Sequence, residues 1–332
     1  GRIHSHWVGD NAFIVIVNDA SHDELQRRLK HGGLRLRTGP VVTRIRSSLQ
    51  AVHHGIALHY ANHAIEPDDG FADFHISVER PRSLRRWFHP QVVFRFDDAE
   101  PFAPLPGDQG FPMLEWGLNW CVSSHCHQYL TIHAAVVERD GKALILPAPS
   151  GSGKSTLCAG LSFRGWRLLS DELALIETAT AAIVPLPRPI SLKNASIEVI
   201  RRFAPDAAFG PVVTETTKGS VAHVRPPVEG VRRAGDKAEP RWIVLPRYVA
   251  GAKAALTSLP KARAFMHLAD NAFNYNVHGR QGFDLLAGLV DRCDCFEFVY
   301  SDLEEAANIF ARLPSSSGRL DSFLAADAAV AG

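Results

Sequence analysis

Apolar and polar residues alternate along the first third of the chain in patterns typical of a small sheet with helices. Residues 21–29 combine a capping serine with helix-forming residues, which predicts a helix. Residues 34–37 and 41–45 alternate apolar and basic side chains on either side of a Gly-Pro turn, which predicts two strands. Further strand-like runs follow at residues 55–60, 71–78 and 91–96. We therefore predict a separate N-terminal α+β domain over residues 1–108.

A proline-rich stretch follows this domain. Residues 98–112 contain four prolines and two glycines, a composition typical of a linker. Beyond it, helix and strand patterns alternate, which predicts an α/β domain over residues 109–313. We expect helices at 113–126, 197–203, 261–269, 281–290 and 303–313, and strands at 129–138, 166–169, 242–245, 254–259 and 295–299. Residues 205–240 are predicted to form a mobile or substrate-facing loop, and residues 314–332 a poorly ordered tail.

The strand at residues 129–138 is followed by Asp140-Gly141, a strong signal for a two-residue β-hairpin turn. The next apolar run, residues 144–147, should then pair with it antiparallel. In the commonest doubly wound sheets, such a strand has parallel neighbours joined by helices. The hairpin therefore predicts a mixed sheet, and it places His133 on the strand beside the one that ends at Pro147.

A Gly/Ser loop follows that strand and leads into a predicted helix. It matches the pattern G-x-x-x-x-G-K-[ST], except that Ala148 stands in place of the first glycine. Glycines let backbone N–H groups turn toward an anion, and the helix N-terminus adds a positive dipole end. The pattern predicts a phosphate-binding loop made by Ser150, Gly151, Ser152, Gly153, Lys154, Ser155 and Thr156. In such loops the lysine contacts the β- and γ-phosphates, and the hydroxyl after it binds Mg²⁺.

Two adjacent carboxylates, Asp171 and Glu172, begin 17 residues after Lys154. The strand predicted at residues 166–169 delivers them at its carboxyl end, where open α/β sheets bind ligands. One carboxylate can hold a metal ion, and we assign this role to Asp171 together with Ser155. The other can accept the proton of an attacking hydroxyl, and we assign this role to Glu172. The alternative is that one of the two only caps a turn.

Composition narrows the classes of partner. The 332 residues carry a formal net charge of +1, which argues against binding to nucleic acid or to an anionic membrane. No apolar run reaches the roughly 20 residues of a membrane span, and we expect a cytoplasmic protein. Arg82, Arg85 and Arg86 form a basic cluster that either contacts a partner or is a solvated face.

The five cysteines form no C-x-x-C pair, which favours reduced thiols. One segment nevertheless concentrates residues that could ligate zinc: Cys121, His125, Cys126, His127 and His133. Their spacing matches no template for a structural zinc site. The alternative is that they are residues of a helix face and of the core.

Four of these features together resemble a known family. They are HAAVV at 133–137, the Asp-Gly hairpin, the loop at 148–155, and FRGWRLLSDELALI at 163–176. The combination resembles the kinase core of bacterial HPr kinase/phosphorylase, and particularly its relatives called HprK-related kinase A. The resemblance implies a fold similar to that of phosphoenolpyruvate carboxykinase, with a mixed sheet.

The resemblance also implies roles for single residues. His133 corresponds to the family's active-site histidine, Lys154 and Ser155 serve the phosphates and magnesium, and Asp171 matches the first acid of an Asp-Asp pair. Glu172 falls on the second acid, the proton acceptor for a target serine, and its carboxylate extends one methylene further than the family's aspartate. The family's later metal-binding glutamate and its catalytic arginine are not located in this sequence; Arg188, Lys193, Lys218 and Arg225 are candidates for the basic group.

These expectations favour an ATP- and Mg²⁺-dependent kinase that phosphorylates a hydroxyl, with a serine of a protein or peptide as the leading acceptor. A small-molecule kinase is an alternative, since residues 1–108 identify no protein target. A nucleotide-binding regulatory protein without catalysis is another. The sequence leaves the acceptor, the reversibility of the reaction and formation of a homo-oligomer open.

Overall fold

The computed structural model describes residues 15–81, 90–149 and 151–313, which form two compact units. The first comprises Gly1–Cys126, Leu186–Ile197 and Asp206–Gly235, and the second His127–Pro185, Glu198–Pro205 and Asp236–Gly332. This division differs from the single boundary expected near residue 108, because the helix after the proline-rich stretch packs on the strands of the first unit. Ser150, the arginines of residues 82–86 and the predicted tail at 314–332 lie outside the described residues.

The first unit is built on a sheet of seven described strands: β1 (Val15–Ile16), β2 (Leu34–Thr38), β3 (Val41–Ser47), β4 (Ala64–Ile65), β5 (Phe74–Glu79), β6 (Gln91–Phe96) and β7 (Leu105–Pro106). Their order is β1-β4-β2-β3-β5-β6-β7. β3 and β5 pair parallel, and the other neighbours pair antiparallel. The two strands predicted on either side of the Gly-Pro turn are confirmed as β2 and β3.

Three helices accompany this sheet: α1 (His22–Arg27), α2 (Gln50–His59) and α3 (Gly110–His125). α1 is confirmed, and its N-cap Ser21 accepts a hydrogen bond from the Glu24 N–H. The strand predicted at residues 55–60 is wrong, since most of this run belongs to α2. Val52 and Ile56, one helical turn apart, are both buried. Burial of one helix face therefore outweighed the strand-like local composition.

Residues 205–240 are also more ordered than predicted. They contain β14 (Val213–Thr216), β15 (Gly219–Val224) and α6 (Val228–Arg232). With β13 (Ile190–Lys193), these strands form an antiparallel sheet in the order β13-β15-β14. The prediction of a loop missed this sheet because its strands are short and lie among Gly, Pro and charged residues.

The second unit contains a mixed sheet. Its strands are β8 (Tyr129–Arg139), β9 (Lys142–Pro147), β10 (Arg167–Ser170), β11 (Leu173–Glu177), β12 (Ile183–Val184), β16 (Glu239–Tyr248), β17 (Ala255–Ser258) and β18 (Asp294–Tyr300). The order is β12-β11-β8-β9-β16-β18-β17, and β10 also pairs with β8. β9, β16 and β18 run parallel, whereas β8 is antiparallel to β9, β10 and β11. The predicted hairpin is present, with Asp140 and Gly141 at φ of 54° and 78°.

The remaining helices are α4 (Lys154–Ser162), α5 (Ala195–Phe203), which the division between the units crosses, α7 (Lys261–Asp270), α8 (Tyr275–Arg292) and α9 (Leu303–Arg312). α7 and α8 contribute Leu268, Leu286 and Leu289 to an apolar core with the inner residues of β8, β9 and β16. α4 packs with α9 and with the same three strands. Among the described residues, no helix is both long and apolar enough to cross a bilayer.

A buried polar cluster lies in the first unit. The Tyr60 hydroxyl donates to Glu115 Oε1 over 2.6 Å, and Arg188 donates to Glu115 Oε2 and Asn119 Oδ1 over 3.3 and 2.9 Å. Burial raises the pKa of Glu115, and the Arg188 guanidinium opposes this effect. The His63 Nε2 atom lies 2.8 Å from the Pro187 carbonyl oxygen. Charges buried at this depth are tolerated because they compensate one another.

Gly117 allows α3 to approach the sheet closely. A Cβ atom there would lie 2.0 Å from a ring carbon of Phe94, a side chain that is fully buried. We expect Gly117→Ala to lower the free energy of unfolding by about 1–3 kcal/mol, because the ring must move within a packed core. Thermal unfolding followed by circular dichroism measures this. Gly288→Ala is the control: its Cβ meets nothing within 4 Å, and the helix gains about 0.5–1 kcal/mol. Equal midpoints for the two variants would contradict the prediction.

The first unit should lose stability in mild acid. Burial lowers the pKa of His59 and of His63 to about 4. Between that pKa and the unfolded value of about 6.5, the unfolded chain binds more protons, so stability falls as the pH falls, by about 1.4 kcal/mol per pH unit for each proton. We expect the unfolding midpoint to fall between pH 7 and pH 5, and to fall less in His63→Gln.

The raised pKa of Glu115 has the opposite effect on stability as the pH falls. Because Glu115 is present in both proteins, the comparison with wild type isolates the contribution of His63. His31→Gln, which replaces an exposed histidine, is the matched control and should follow the wild-type curve. A His63→Gln curve that also follows wild type would show that His63 contributes nothing to the pH dependence.

Candidate active site

The Gly/Ser loop connects β9 to α4 across an edge of the second unit's sheet. Gly151 and Gly153 have φ of 90° and 91°, a backbone region that favours glycine. Ala148, at the place of the first glycine in the sequence pattern, is buried and does not have a positive φ. Alanine is therefore compatible with the turn. Ser152, Lys154, Ser155 and Thr156 continue the loop into the first turn of α4.

Two tyrosines at the carboxyl ends of neighbouring parallel strands hold this loop. The Tyr248 N–H, at the end of β16, donates to the Ser152 carbonyl over 3.0 Å. The Tyr300 hydroxyl, at the end of β18, donates to the Gly153 carbonyl over 2.8 Å. In a trans peptide the C=O and the following N–H point in opposite directions. The N–H groups of Gly153 and Lys154 therefore point away from these tyrosines, and the Lys154 N–H donates to Ser152 Oγ over 3.4 Å.

Gly153 fits this position for a second reason. A Cβ atom at residue 153 would lie 2.5 Å from the Tyr300 hydroxyl oxygen and 3.1 Å from Tyr248 Cβ. Tyr300 is 1% exposed, its ring stacks on Phe298, and burial raises the pKa of its hydroxyl. The hydroxyl therefore stays protonated and able to donate. The sequence analysis missed both tyrosines, although their place after strands parallel to β9 could have indicated them.

The Lys154 side chain is the centre of the site. It is 5% exposed, and its Nζ atom donates to the Asp171 carbonyl over 3.0 Å. The same nitrogen lies 3.2 Å from His133 Nε2 and 3.6 Å from Glu172 Oε2. The structure thus brings the predicted loop lysine, the hairpin histidine and the second carboxylate to one point. An ammonium group can be buried here because a carbonyl and a carboxylate compensate for its lost hydration.

His133 lies between the lysine and the glutamate. Its Nε2 atom is 2.9 Å from Glu172 Oε2. With a proton on Nε2, the imidazole donates to Glu172; without one, it accepts from Lys154. The two states are mutually exclusive at this single nitrogen, so the tautomer of the ring decides which partner it binds.

Asp171 and Glu172 form the turn between β10 and β11, as predicted for the end of the return strand. Asp171 is 4% exposed, whereas the Glu172 side chain is 21% exposed. Burial raises the pKa of Cys158, and the negative charge of Asp171 adds to this effect. The Ser170 carbonyl accepts from Cys158 Sγ over 3.8 Å and the Asp171 carbonyl accepts from Lys154 Nζ, so the start of this turn lies against the first turns of α4.

Magnesium would need oxygen ligands, and the site offers few from the protein. The Ser155 hydroxyl and the Asp171 carboxylate are the chemically suitable donors. The described part of the chain contains no group of three or more His, Cys, Asp or Glu residues able to hold a metal ion. Mg²⁺ commonly takes one or two protein oxygens and completes its shell with water and substrate phosphates. The residues present fit a metal bound in that way.

Residues 271–274 extend the support of His133 along β8. The His133 N–H donates to the Asn271 carbonyl over 2.7 Å, and the Phe273 N–H donates to the Thr131 carbonyl over 2.9 Å. The Asn274 side chain accepts from the Thr131 N–H and donates to the Tyr129 carbonyl. This segment satisfies the part of β8 that β9 does not reach. No sequence motif indicated it.

The four candidates for a catalytic arginine or other basic group belong to the first unit. They are Arg188, Lys193, Lys218 and Arg225. Arg188 is held by Glu115 and Asn119, and Arg225 donates to the Leu58 carbonyl over 2.5 Å. None of the four belongs to the unit that contains Lys154, and the assignment of a catalytic arginine stays open.

The possible zinc ligands do not form a site. Burial raises the pKa of Cys121 to about 12 and that of Cys126 to about 11, as expected for thiols in an apolar core. The ring of His125 stacks on Phe96, and the described residues hold no metal cluster. This agrees with the reading of these residues as helix-face and core positions.

Comparison with known proteins gives limited matches. A family model described as SynChlorMet cassette protein ScmC matches residues 113–189, less than half of the chain. No curated protein matches. A solved structure described as the Hpr(Ser) kinase/phosphatase from Coxiella burnetii matches with 13% identity and a TM-score of 0.24, covering 56% of this chain and 99% of that chain. A match at this TM-score establishes neither the fold nor the function of this chain, and the HprK-related assignment stays a prediction.

The Tyr300 hydroxyl allows a direct test of the loop geometry. We expect Tyr300→Phe to weaken binding of ATP about threefold to tenfold, because the Gly153 carbonyl keeps the helical hydrogen bond from the Leu157 N–H but loses the hydroxyl that ties the loop to β18. Titration with a fluorescent ATP analogue measures the affinity. Tyr275→Phe is the control, since the structure shows no hydrogen bond for the Tyr275 hydroxyl among the described residues. An affinity loss of the same size in both variants would count against a positioning role for Tyr300.

Proposed function

We propose that this protein is an ATP-dependent kinase that transfers the γ-phosphoryl group to a hydroxyl, with a serine of a protein or peptide as the acceptor. The observation that carries the proposal is the meeting of Lys154, His133 and Glu172 behind a glycine loop at a helix N-terminus. These groups supply what phosphoryl transfer requires: a cradle for phosphates, a cation at the terminal phosphates, and a base.

The loop supplies the phosphate cradle. With the carbonyls of Ser152 and Gly153 held by the two tyrosines, their peptide N–H groups point away from these tyrosines. The N-terminus of α4 adds its positive dipole end at the same place. Lys154, already compensated from behind by the Asp171 carbonyl, is placed to contact the terminal phosphates.

Mg²⁺ bound with the nucleotide would be held by Ser155 and Asp171, and it would supply positive charge to the phosphate oxygens. The remaining contributions come from the protein side chains. Lys154 stabilises negative charge on the transferring group, and burial strengthens this interaction. Asp171 keeps the turn that carries Glu172 close to α4.

Glu172 is the proposed base. In the transfer, a bond forms between the acceptor oxygen and the γ-phosphorus, the bond from that phosphorus to the bridging oxygen breaks, and ADP leaves. The acceptor's proton goes to the Glu172 carboxylate. His133 can share that proton through Nε2 at 2.9 Å, on release of its contact with Lys154.

Substitutions at the site separate a kinase from a binding protein. We expect Lys154→Ala to lower the rate of phosphoryl transfer by about 10²-fold or more, because it removes a preorganised positive charge. Glu172→Gln should lower it by about 10²-fold or more while ATP still binds, because the base is lost but the loop and Lys154, with the Asp171 carbonyl as its acceptor, remain. Rates are measured with γ-labelled ATP, and affinities by calorimetry.

Glu304→Gln is the matched control, because it neutralises an exposed glutamate that is paired with Arg164 in the same unit. Its rate should equal that of wild type. Transfer at the wild-type rate in Glu172→Gln would remove Glu172 as the base. ATP binding without any transfer by the wild type, with all cellular acceptors present, would favour a regulatory binding protein.

The acceptor is identified by incubating the protein with γ-labelled ATP and an extract of its own cells, and then mapping the labelled residue. Label on a protein serine is the expected result. Label confined to a small molecule would keep the kinase and overturn the protein acceptor. Lys154→Ala in the same extract is the control for phosphorylation by other kinases.

A further inference from the structure

The outer face of the first unit's sheet concentrates arginines. β2 and β3 alternate buried residues with basic ones, so Arg35, Arg37, Arg44 and Arg46 lie on the face away from the core. Arg35 lies directly opposite Arg44, and Arg44 lies directly opposite His75 of β5. Like charges in directly opposite positions destabilise a sheet. The fold therefore places positive charges side by side at a cost in stability.

Neighbouring acids neutralise only the edges of this face. Arg37 pairs with Glu66, and Arg95 of β6 pairs with Glu100 and Glu79. Arg35, Arg44 and Arg46 form no salt bridge with any residue that the structure describes. The Arg35 Nε atom is buried and has no hydrogen-bond partner within the described ranges. The three guanidinium groups at the centre of the face thus lie beyond salt-bridge distance of any described carboxylate, although Asp97 lies beside Arg44 and Arg46.

The Gly32-Gly33 segment before β2 lies against the side chains of Arg44 and Arg46. Arg44 Nε donates to the Gly32 carbonyl over 2.7 Å. Gly33, at φ of 86°, leaves the room that both stems need: a Cβ atom there would lie 2.8 Å from Arg44 Cγ and 3.2 Å from Arg46 Cγ. The Arg44 guanidinium, which is already oriented by its hydrogen bond to the Gly32 carbonyl, loses less conformational entropy when it binds an anion.

A small cavity opens between these arginines and the next strand. Its volume is about 90 Å³, and its lining residues are Arg44, Arg46, His75, Ile76, Ser77 and Asp97. Sites for cofactors or drug-sized ligands measure about 300–1,000 Å³. The cavity therefore fits the head group of a single acidic side chain and not a nucleotide.

We propose that Arg35, Arg44, Arg46, His75 and Ser77, here called the arginine face, bind a short acidic segment of a partner polypeptide. Carboxylates on alternate residues of an extended segment repeat about every 7 Å, the spacing of Arg44 and Arg46 along β3. Planar guanidinium groups bind carboxylates in a bidentate manner. This inference goes beyond the proposed kinase activity and does not depend on it.

Nucleic acid fits this face less well. Apart from His75, no aromatic side chain of the described strands lies on it to stack a base. The carboxylates of Glu66, Glu79, Glu100 and Asp97 surround the arginines and would repel a long phosphate backbone. A short segment with a few carboxylates spans less of this surrounding negative charge than a long phosphate backbone does.

The test uses a short fluorescein-labelled peptide of alternating glutamate and serine, with fluorescence anisotropy on the full chain. We expect binding that weakens with added salt, and no binding of the same peptide with glutamine in place of glutamate. Arg44→Gln with Arg46→Gln should weaken binding about tenfold or more, because charge-assisted hydrogen bonds are lost. The matched control, Arg201→Gln with Arg263→Gln, changes exposed, paired arginines outside the arginine face.

Thermal unfolding gives a second readout. The Arg44→Gln, Arg46→Gln variant should unfold at a higher temperature than wild type, because like charges no longer oppose each other. Equal binding of the glutamate and glutamine peptides, or unchanged affinity in this variant, would overturn the proposal. So would tighter binding of a single-stranded oligonucleotide or of tripolyphosphate through the same arginines, or a lower unfolding temperature in the variant.

Discussion

The second unit is organised around one buried positive charge. Lys154 has almost no contact with solvent, and its ammonium group is compensated by the Asp171 carbonyl, the Glu172 carboxylate and the His133 ring. Burying an unpaired ammonium is strongly unfavourable. Burial of the Lys154 ammonium group therefore requires three elements together: the strand β8, the turn between β10 and β11, and the start of α4. The same arrangement that makes the charge tolerable also brings Glu172, the proposed base, and His133 to the glycine loop.

The direction of the strands explains how the loop obtains its shape. β9 has an antiparallel neighbour on one side, which carries His133, and parallel neighbours on the other, which end at Tyr248 and Tyr300. The antiparallel neighbour contributes His133, the proposed active-site histidine. The parallel strands contribute the tyrosines that hold the loop, because only parallel strands end at the same edge of the sheet as β9. A mixed sheet can provide both around a single loop.

The first unit handles its charges in two ways. In its interior, Glu115 and Arg188 compensate each other with help from Tyr60 and Asn119. On its outer face, Arg35, Arg44 and Arg46 have no such acidic partners among the described residues, and the cost is moderated only by water and salt. An unpaired charge in the interior strongly destabilises the fold, whereas an unpaired charge on the surface stays hydrated and can bind a ligand. The difference follows from the dielectric constant around each group.

Local sequence determined the hairpin, the glycine loop and the order of the elements around them. Asp140-Gly141 specifies a turn through backbone conformations that few other residues adopt, and Gly151 and Gly153 do the same for the loop. Tertiary structure decided what depends on residues far apart in the chain. α2 became a helix at residues 55–60 because one of its faces is buried, and residues 205–240 gained strands because β13 pairs with β15. Tyr300, which is 147 residues from Gly153, became part of the loop's support only through the parallel register of β9, β16 and β18. Short-range patterns reflect local backbone preferences, and they contain no information on which distant strand ends meet.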